Sequence, residues 1–222
     1  MAAVVPRAFL FRYSIPVRRI DRLPGTGKKP LTLPKRCTLP DIAELDGIPS
    51  FAELRAAWNP GGIGFSLTVS RRSDSVLPDV DSRSPEDSDG LQLWIDTRNT
   101  QSIHRASRFC HHFHLVPSAD GKKRNRPQCI QRPIARSRSE DEPDSPVVRS
   151  VPLTMKSLAD GYRLDVWFPA DVLSGFDPET TRQLGFYYLV HDAVHGEQFL
   201  SVGRDFPFSH DPSLWSTLDL VE

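Results

Sequence analysis

Apolar and polar residues alternate with period two along most of this chain. Phe9, Phe11, Tyr13, Ile15 and Val17 recur at every second position, with Arg12, Ser14 and Arg18 among the residues between and after them. Phe65, Leu67 and Val69 do the same, as do Leu91, Leu93 and Ile95. Successive side chains of a strand point to opposite faces, so each run predicts a strand with one buried face. Further runs lie at 109–116, 147–152, 162–168, 184–190, 198–202 and 215–221, making nine predicted strands with that of 9–18. The spacers are polar and rich in Pro and Gly, too short of helical periods for a parallel α/β fold. The expected fold class is all-β, an antiparallel sandwich of jelly-roll type. Helix is expected only in short pieces. Ser50-Phe51-Ala52-Glu53 fits a capping box and predicts two turns running to Trp58, stopped by Pro60-Gly61-Gly62. Single turns are expected at 169–173 and after Asp177-Pro178.

The 222 residues suit one sandwich domain over 1–222, with 1–39 a basic strand and loop packed on it. Residues 71–88 and 117–146 are poor in apolar side chains and rich in Ser, Pro and charge, and are expected to be long flexible loops. A short strand is expected to begin at Cys129-Ile130.

Charge changes the picture. Lys+Arg and Asp+Glu are equal at 28 each, which argues against a nucleic-acid binder. The balance hides a segregation: 1–38 carries nine basic groups and one acid, whereas 150–222 carries four basic groups and eleven acids. The two ends are expected to attract each other within one body. No apolar run approaches the roughly 18 residues of a membrane-spanning helix. Three Cys rule out a disulfide framework, and the start has no signal-peptide pattern, so a cytoplasmic setting is expected.

Three segments in order carry a family resemblance. The first runs from Leu45-Asp46-Gly47 through Ala57-Trp58-Asn59 to Gly64–Val69. The second is Ser88-Asp89-Gly90-Leu91-Gln92-Leu93-Trp94-Ile95-Asp96-Thr97-Arg98. The third is Gly161-Tyr162-Arg163-Leu164-Asp165-Val166-Trp167-Phe168-Pro169, followed by Leu184-Gly185-Phe186 and Val190-His191-Asp192. Over residues 40–222 this order resembles family 9 carbohydrate-binding modules and the DOMON-like sandwiches related to them, including bacterial proteins of unassigned function. The resemblance implies a non-catalytic domain that binds a sugar-like ligand, with Asp192 at the end of its strand.

Sugar recognition uses flat aromatic faces for the pyranose ring and planar polar groups for its hydroxyls. Gln92, Trp94 and Asp96 share one face of a predicted strand and are expected to supply a stacking platform with hydrogen-bonding neighbours. Arg98, His104 and Arg105 follow closely and concentrate donors at the same rim. The bland alternatives are a core Trp and a solvated turn. No second Trp is identifiable as the other half of a clamp. Cys110, His112 and His114 alternate onto one strand face, where His-x-His spacing of about 6.5–7 Å suits a metal. No Glu follows before Glu140, so they are weak metal candidates, and no metal or cofactor is expected. No nucleophile elbow or Walker loop occurs. The expected partner is a carbohydrate. The alternative is a protein-interaction or structural sandwich using 117–146 as its contact surface, and a metal-dependent enzyme ranks below both. Neither nucleic acid nor membrane is expected.

Overall fold

A computed structural model describes residues 5–24, 31–70, 88–117, 127–138 and 148–222. The expected loops at 71–88 and 117–146 lie largely outside these residues. The strands are β1 (Ser14–Arg19), β2 (Ala52–Asn59), β3 (Gly62–Ser70), β4 (Gly90–Asp96), β5 (Cys110–Val116) and β6 (Gln128–Arg132). They continue with β7 (Leu153–Leu158), β8 (Gly161–Pro169), β9 (Gln183–Asp192), β10 (Gly196–Phe199) and β11 (Ser216–Val221). Helical geometry among the described residues is limited to 3-10 turns such as Arg7–Leu10 and Pro212–Leu214. No helix among them is long and apolar enough to cross a membrane.

The strands hydrogen-bond in the order β6-β5-β4-β9-β11-β1-β2-β3-β8-β7, with β10 on β9. This path folds over on itself into a β-sandwich. Phe65 of β3 stacks on Phe186 of β9 at 5.4 Å, and Phe113 of β5 meets Phe168 of β8 at 4.6 Å. All four rings are fully buried. The alternation that predicted the strands is what fills this core: Leu91, Leu93 and Ile95 point in from β4, and Phe65, Leu67 and Val69 from β3.

All pairings are antiparallel except those of β1, which runs parallel to both β11 and β2. The basic N-terminal segment thus pairs with the acidic C-terminal one. Arg19 and Arg182 both reach Glu222, at 3.3 and 2.8 Å, and both guanidinium groups sit over the Trp58 ring. These ion pairs are exposed and contribute little. The ladder and the burial of Ile15 and Val17 hold the junction.

Three predicted elements differ. The segment expected to be helical at 50–58 instead enters strand β2, Ala52–Asn59. Gln198 Oε1 accepts the N–H groups of Phe51 and Ala52, and Gln198 Nε2 donates to Ala52 O. Glu53 pairs with Arg55 instead of closing a capping box, so tertiary pairing overrides the local helix signal. The run at 9–18 divides: Arg7–Leu10 is a 3-10 turn, and Phe9 and Phe11 are exposed while Ile15 and Val17 are buried. The strand expected at 147–152 lies instead at Leu153–Leu158, an edge strand with polar residues at alternate positions. Pro152, lacking an N–H, contributes only its carbonyl, to Trp167 N. The Cys129-Ile130 expectation grows into β6, and the turn at Asp177 forms with its carboxylate accepting Glu179 N and Thr180 N.

Gly90 starts β4 with φ +149°, and a Cβ there would lie 2.3 Å from Leu115 O. Only glycine allows β5 to come this close at the strand entrance.

Phe65 makes ring contacts in both layers, so Phe65→Ala should lower unfolding free energy by about 3–5 kcal/mol, whereas exposed Phe11→Ala should change it by less than about 0.5 kcal/mol. Urea denaturation followed by tryptophan fluorescence measures both.

Candidate functional site

The sheet β9-β4-β5-β6 has a second face, turned away from the layer interface. Alternation along β4 places Gln92, Trp94 and Asp96 there, and along β5 Cys110, His112 and His114. Antiparallel register sets Gln92 opposite His114 and Trp94 opposite His112. On the outer side β6 brings Arg132 opposite His112. On the inner side β9 brings Tyr187 opposite Trp94, Leu189 opposite Gln92 and His191 opposite Gly90. One sheet face therefore carries a row of planar polar groups: Gln92, His112, His114, Arg132 and His191.

Their contacts are specific. His112 Nε2 lies 3.0 Å from Gln92 Oε1, so with that carbonyl as acceptor the imidazole proton sits on Nε2. The His112 ring stacks on Trp94 at 4.2 Å and 9° between planes. Trp94 is otherwise enclosed edge-on by Tyr187 and by Phe208 from the 200–215 segment. It is 2% exposed and offers no open face to a sugar ring; it holds His112 upright instead. His114 is 1% exposed, and its Nε2, like Trp94 Nε1, reaches no hydrogen-bond partner among the described residues. His191 Nδ1 stands 3.8 Å from Asp89, a fully buried carboxylate that accepts Ala193 N at 2.6 Å.

Burial pushes the pKa values of His112 and His114 down to about 3. Neighbouring positive or protonatable groups act the same way: His114 and Arg132 on His112, Arg132 and His191 on His114. Both rings are thus neutral near pH 7, each with one donor and one acceptor nitrogen. Cys110 is pushed up to about 11, first by burial and then by Asp96, so its thiol keeps its proton near pH 7. Among the described residues no group of three or more His, Cys, Asp or Glu side chains is placed to hold a metal ion.

The residues singled out from sequence fall into three places. Gln92 and Trp94 lie on the polar face beside His112 and His114. Asp96 and Asp192 are buried turn formers: Asp96 accepts Arg98 N at 2.9 Å and Thr100 N at 2.6 Å, and Asp192 accepts Val194 N and His195 N at 3.0 and 3.1 Å. Arg98, His104 and Arg105 stand exposed on the rim. Arg98 covers Phe109, Arg105 donates to Arg136 O, and His104 bonds Asp211 and Ser213. Sequence reasoning chose Asp192 where the face receives its neighbour His191. The alternation from buried Val190 carried that signal, but a strand-end Asp drew attention first. Arg132 was unreachable without the β5-β6 register.

No protein-family model matches the chain, and no curated protein sequence does. Solved structures do match. A family 9 carbohydrate-binding module from Caldicellulosiruptor kristjanssonii in complex with cellotriose is similar over 94% of this chain and 94% of its own, with TM-score 0.61 and 14% identity. A family 9 module from the same organism in complex with glucose is similar over 76% of this chain and 75% of its own, with TM-score 0.52 and 14% identity. The chain shares the fold of these modules.

The two depressed histidines make stability depend on acid. Unfolded imidazoles take up protons near 6.5, whereas the folded ones resist down to about 3. Their contribution is therefore complete above pH 6.5 and is lost as pH falls from 6.5 toward 3. The urea midpoint should fall between about pH 7 and about pH 5, and fall less steeply in the His112→Gln/His114→Gln double variant. Equal slopes would show that these rings are not held neutral.

Proposed function

We propose that the chain is a non-catalytic binding domain that takes a sugar-like ligand on the outer face of β4 and β5, with Gln92, His112, His114 and Arg132 as its hydrogen-bonding groups. The observation that carries this reading is the buried His114 Nε2, without a partner among the described residues, in a row of planar polar groups. A buried polar atom left unpaired costs about 1–3 kcal/mol, and a ligand hydroxyl at this point would recover it. Neutral imidazoles suit hydroxyls, because both can donate and accept, and an arginine fork adds two parallel donors. The Trp94 stack restrains His112, so little freedom is lost when a ligand engages it.

The carboxylates around this face support a binding role over a hydrolytic one. Glycoside cleavage uses two carboxyl groups flanking the bond. Asp89, Asp96 and Asp192 are all fully buried and engaged by backbone N–H groups of turns. The fold is one that, in other proteins, has been seen with cellotriose and with glucose.

Titration calorimetry with glucose, cellotriose, xylotriose and chitotriose tests the reading. Binding of at least one is expected, weakened about tenfold by Gln92→Ala and by Arg132→Ala, the effect of one or two lost hydrogen bonds. Absence of heat with all four, or binding indifferent to both variants, contradicts it.

A further inference from the structure

Exposed apolar side chains are unevenly distributed over this domain. Of the seven large ones exposed among the described residues, six come from two short segments that touch: Val5, Phe9, Leu10 and Phe11 from one, Leu45 and Ile48 from the other. The first segment is built around the 3-10 turn Arg7–Leu10, the second around a 3-10 turn at Ala43–Asp46. Arg7 fastens them together. Its backbone N–H donates to Asp46 Oδ1 at 2.9 Å, and its guanidinium donates to Leu45 O at 3.1 Å. Ala8, Ile42 and Ala43 are buried and anchor both turns to the body of the domain. The backbone under the patch is therefore fixed, while Leu10 and Phe11 stand 64% and 63% exposed upon it. Apolar surface gathered in this way marks an interaction site, whereas single exposed apolar residues do not.

Charge points to the occupant. Glu44 stands exposed on the second turn. Arg12 stands exposed at the far end of the first segment, where its guanidinium donates to the Gln101 amide oxygen at 2.6 Å. Neither forms an ion pair among the described residues. Arg7 lies against the second turn and Arg12 against Gln101, so the apolar row runs between an acidic end and a basic end. An anionic surface, such as a layer of lipid headgroups, would be repelled at Glu44, and a cationic surface at Arg7 and Arg12. A two-fold rotation satisfies both ends. It reverses one copy of the chain against another, so that Arg12 of each meets Glu44 of the other and the apolar rows pack between them.

We infer that this patch pairs two copies of the chain in an isologous contact centred on Leu10 and Phe11, with Arg12 and Glu44 joined across it. The inference does not rest on the polar face of β4 and β5, whose strands contribute none of these side chains.

Analytical ultracentrifugation of the full chain, from low to high micromolar concentration, tests the contact. A reversible monomer–dimer equilibrium is expected. Leu10→Asp should leave the circular dichroism spectrum unchanged and raise the dimer dissociation constant about tenfold or more. Arg12→Glu and Glu44→Arg should each raise it about tenfold, because each brings like charges together twice. An equimolar mixture of these two variants should pair as tightly as the natural chain, since opposite charges then meet at both ends. Misfolding of either variant would not produce that rescue. A chain that is monomeric throughout overturns the inference, as does a dimer indifferent to Leu10→Asp, or a mixture that pairs no better than its components. Co-sedimentation of a monomeric chain with vesicles of phosphatidylcholine and phosphatidylserine would assign the patch to a lipid surface and would also overturn it.

Discussion

The architecture depends on one insertion, that of β1 between β11 and β2. These neighbours belong to the two halves of the hydrogen-bonded path, β6-β5-β4-β9-β11 on one side and β2-β3-β8-β7 on the other. Without β1 each half would end in an open strand edge, a row of unpaired donors and acceptors. Parallel pairing lets β1 meet both, with Ile15 and Val17 buried beneath the ladder. Trp58 Nε1 ties the corner to Val221 O at 3.1 Å. The segregated charges meet at this junction in exposed pairs, but the hydrogen bonds and two buried aliphatic side chains hold it. Because the halves are joined, the layers can press Phe65 on Phe186 and Phe113 on Phe168.

That face departs from ordinary sheet design. Its inner side is largely apolar, as a core requires, with His111 of β5 and Gln131 of β6 as its polar members. Its outer side is also covered, yet carries an amide, three imidazoles and a guanidinium. Burying such groups is tolerable only when they are neutral or paired. His112 and His114 meet the condition by giving up their protons, His112 additionally by bonding Gln92 and stacking on Trp94. His114 does not complete its bonding within the described residues. The stability lost to it is what the proposed ligand would recover.

Much of the fold was legible because period-two alternation is a local property. β3, β4, β5, β8, β9 and β11 announce themselves through residues such as Leu91-x-Leu93-x-Ile95, whose burial needs no knowledge of partners. β2 was not legible. Its capping-box residues are locally helical, and the group that overrides them, Gln198, is 146 positions away from Ala52 in sequence. β7 was missed because an edge strand buries only Leu153 and Met155 in part, leaving too weak a pattern. At the site, Gln92 and Trp94 could be placed on one face from β4 alone, and His112 and His114 on one face from β5 alone. That the two faces are one depends on register, which sequence does not state. Trp94 looked available because Gln92 and Asp96, which share its strand face, are polar; Phe208, from a distant segment, encloses it. Arg98, His104 and Arg105 were expected at a rim, and they stand exposed beyond the point where Asp96 folds the chain back at Thr97–Thr100.

The central claim is that the covered polar face of β4 and β5 exists to receive a ligand. A crystal structure of the protein soaked with cellotriose tests it most directly. It should show a sugar hydroxyl within hydrogen-bonding distance of His114 Nε2, with Gln92 and Arg132 on neighbouring hydroxyls and Trp94 still stacked on His112. A structure in which His114 Nε2 remains unpartnered and sugar density lies elsewhere, or is absent, would contradict it.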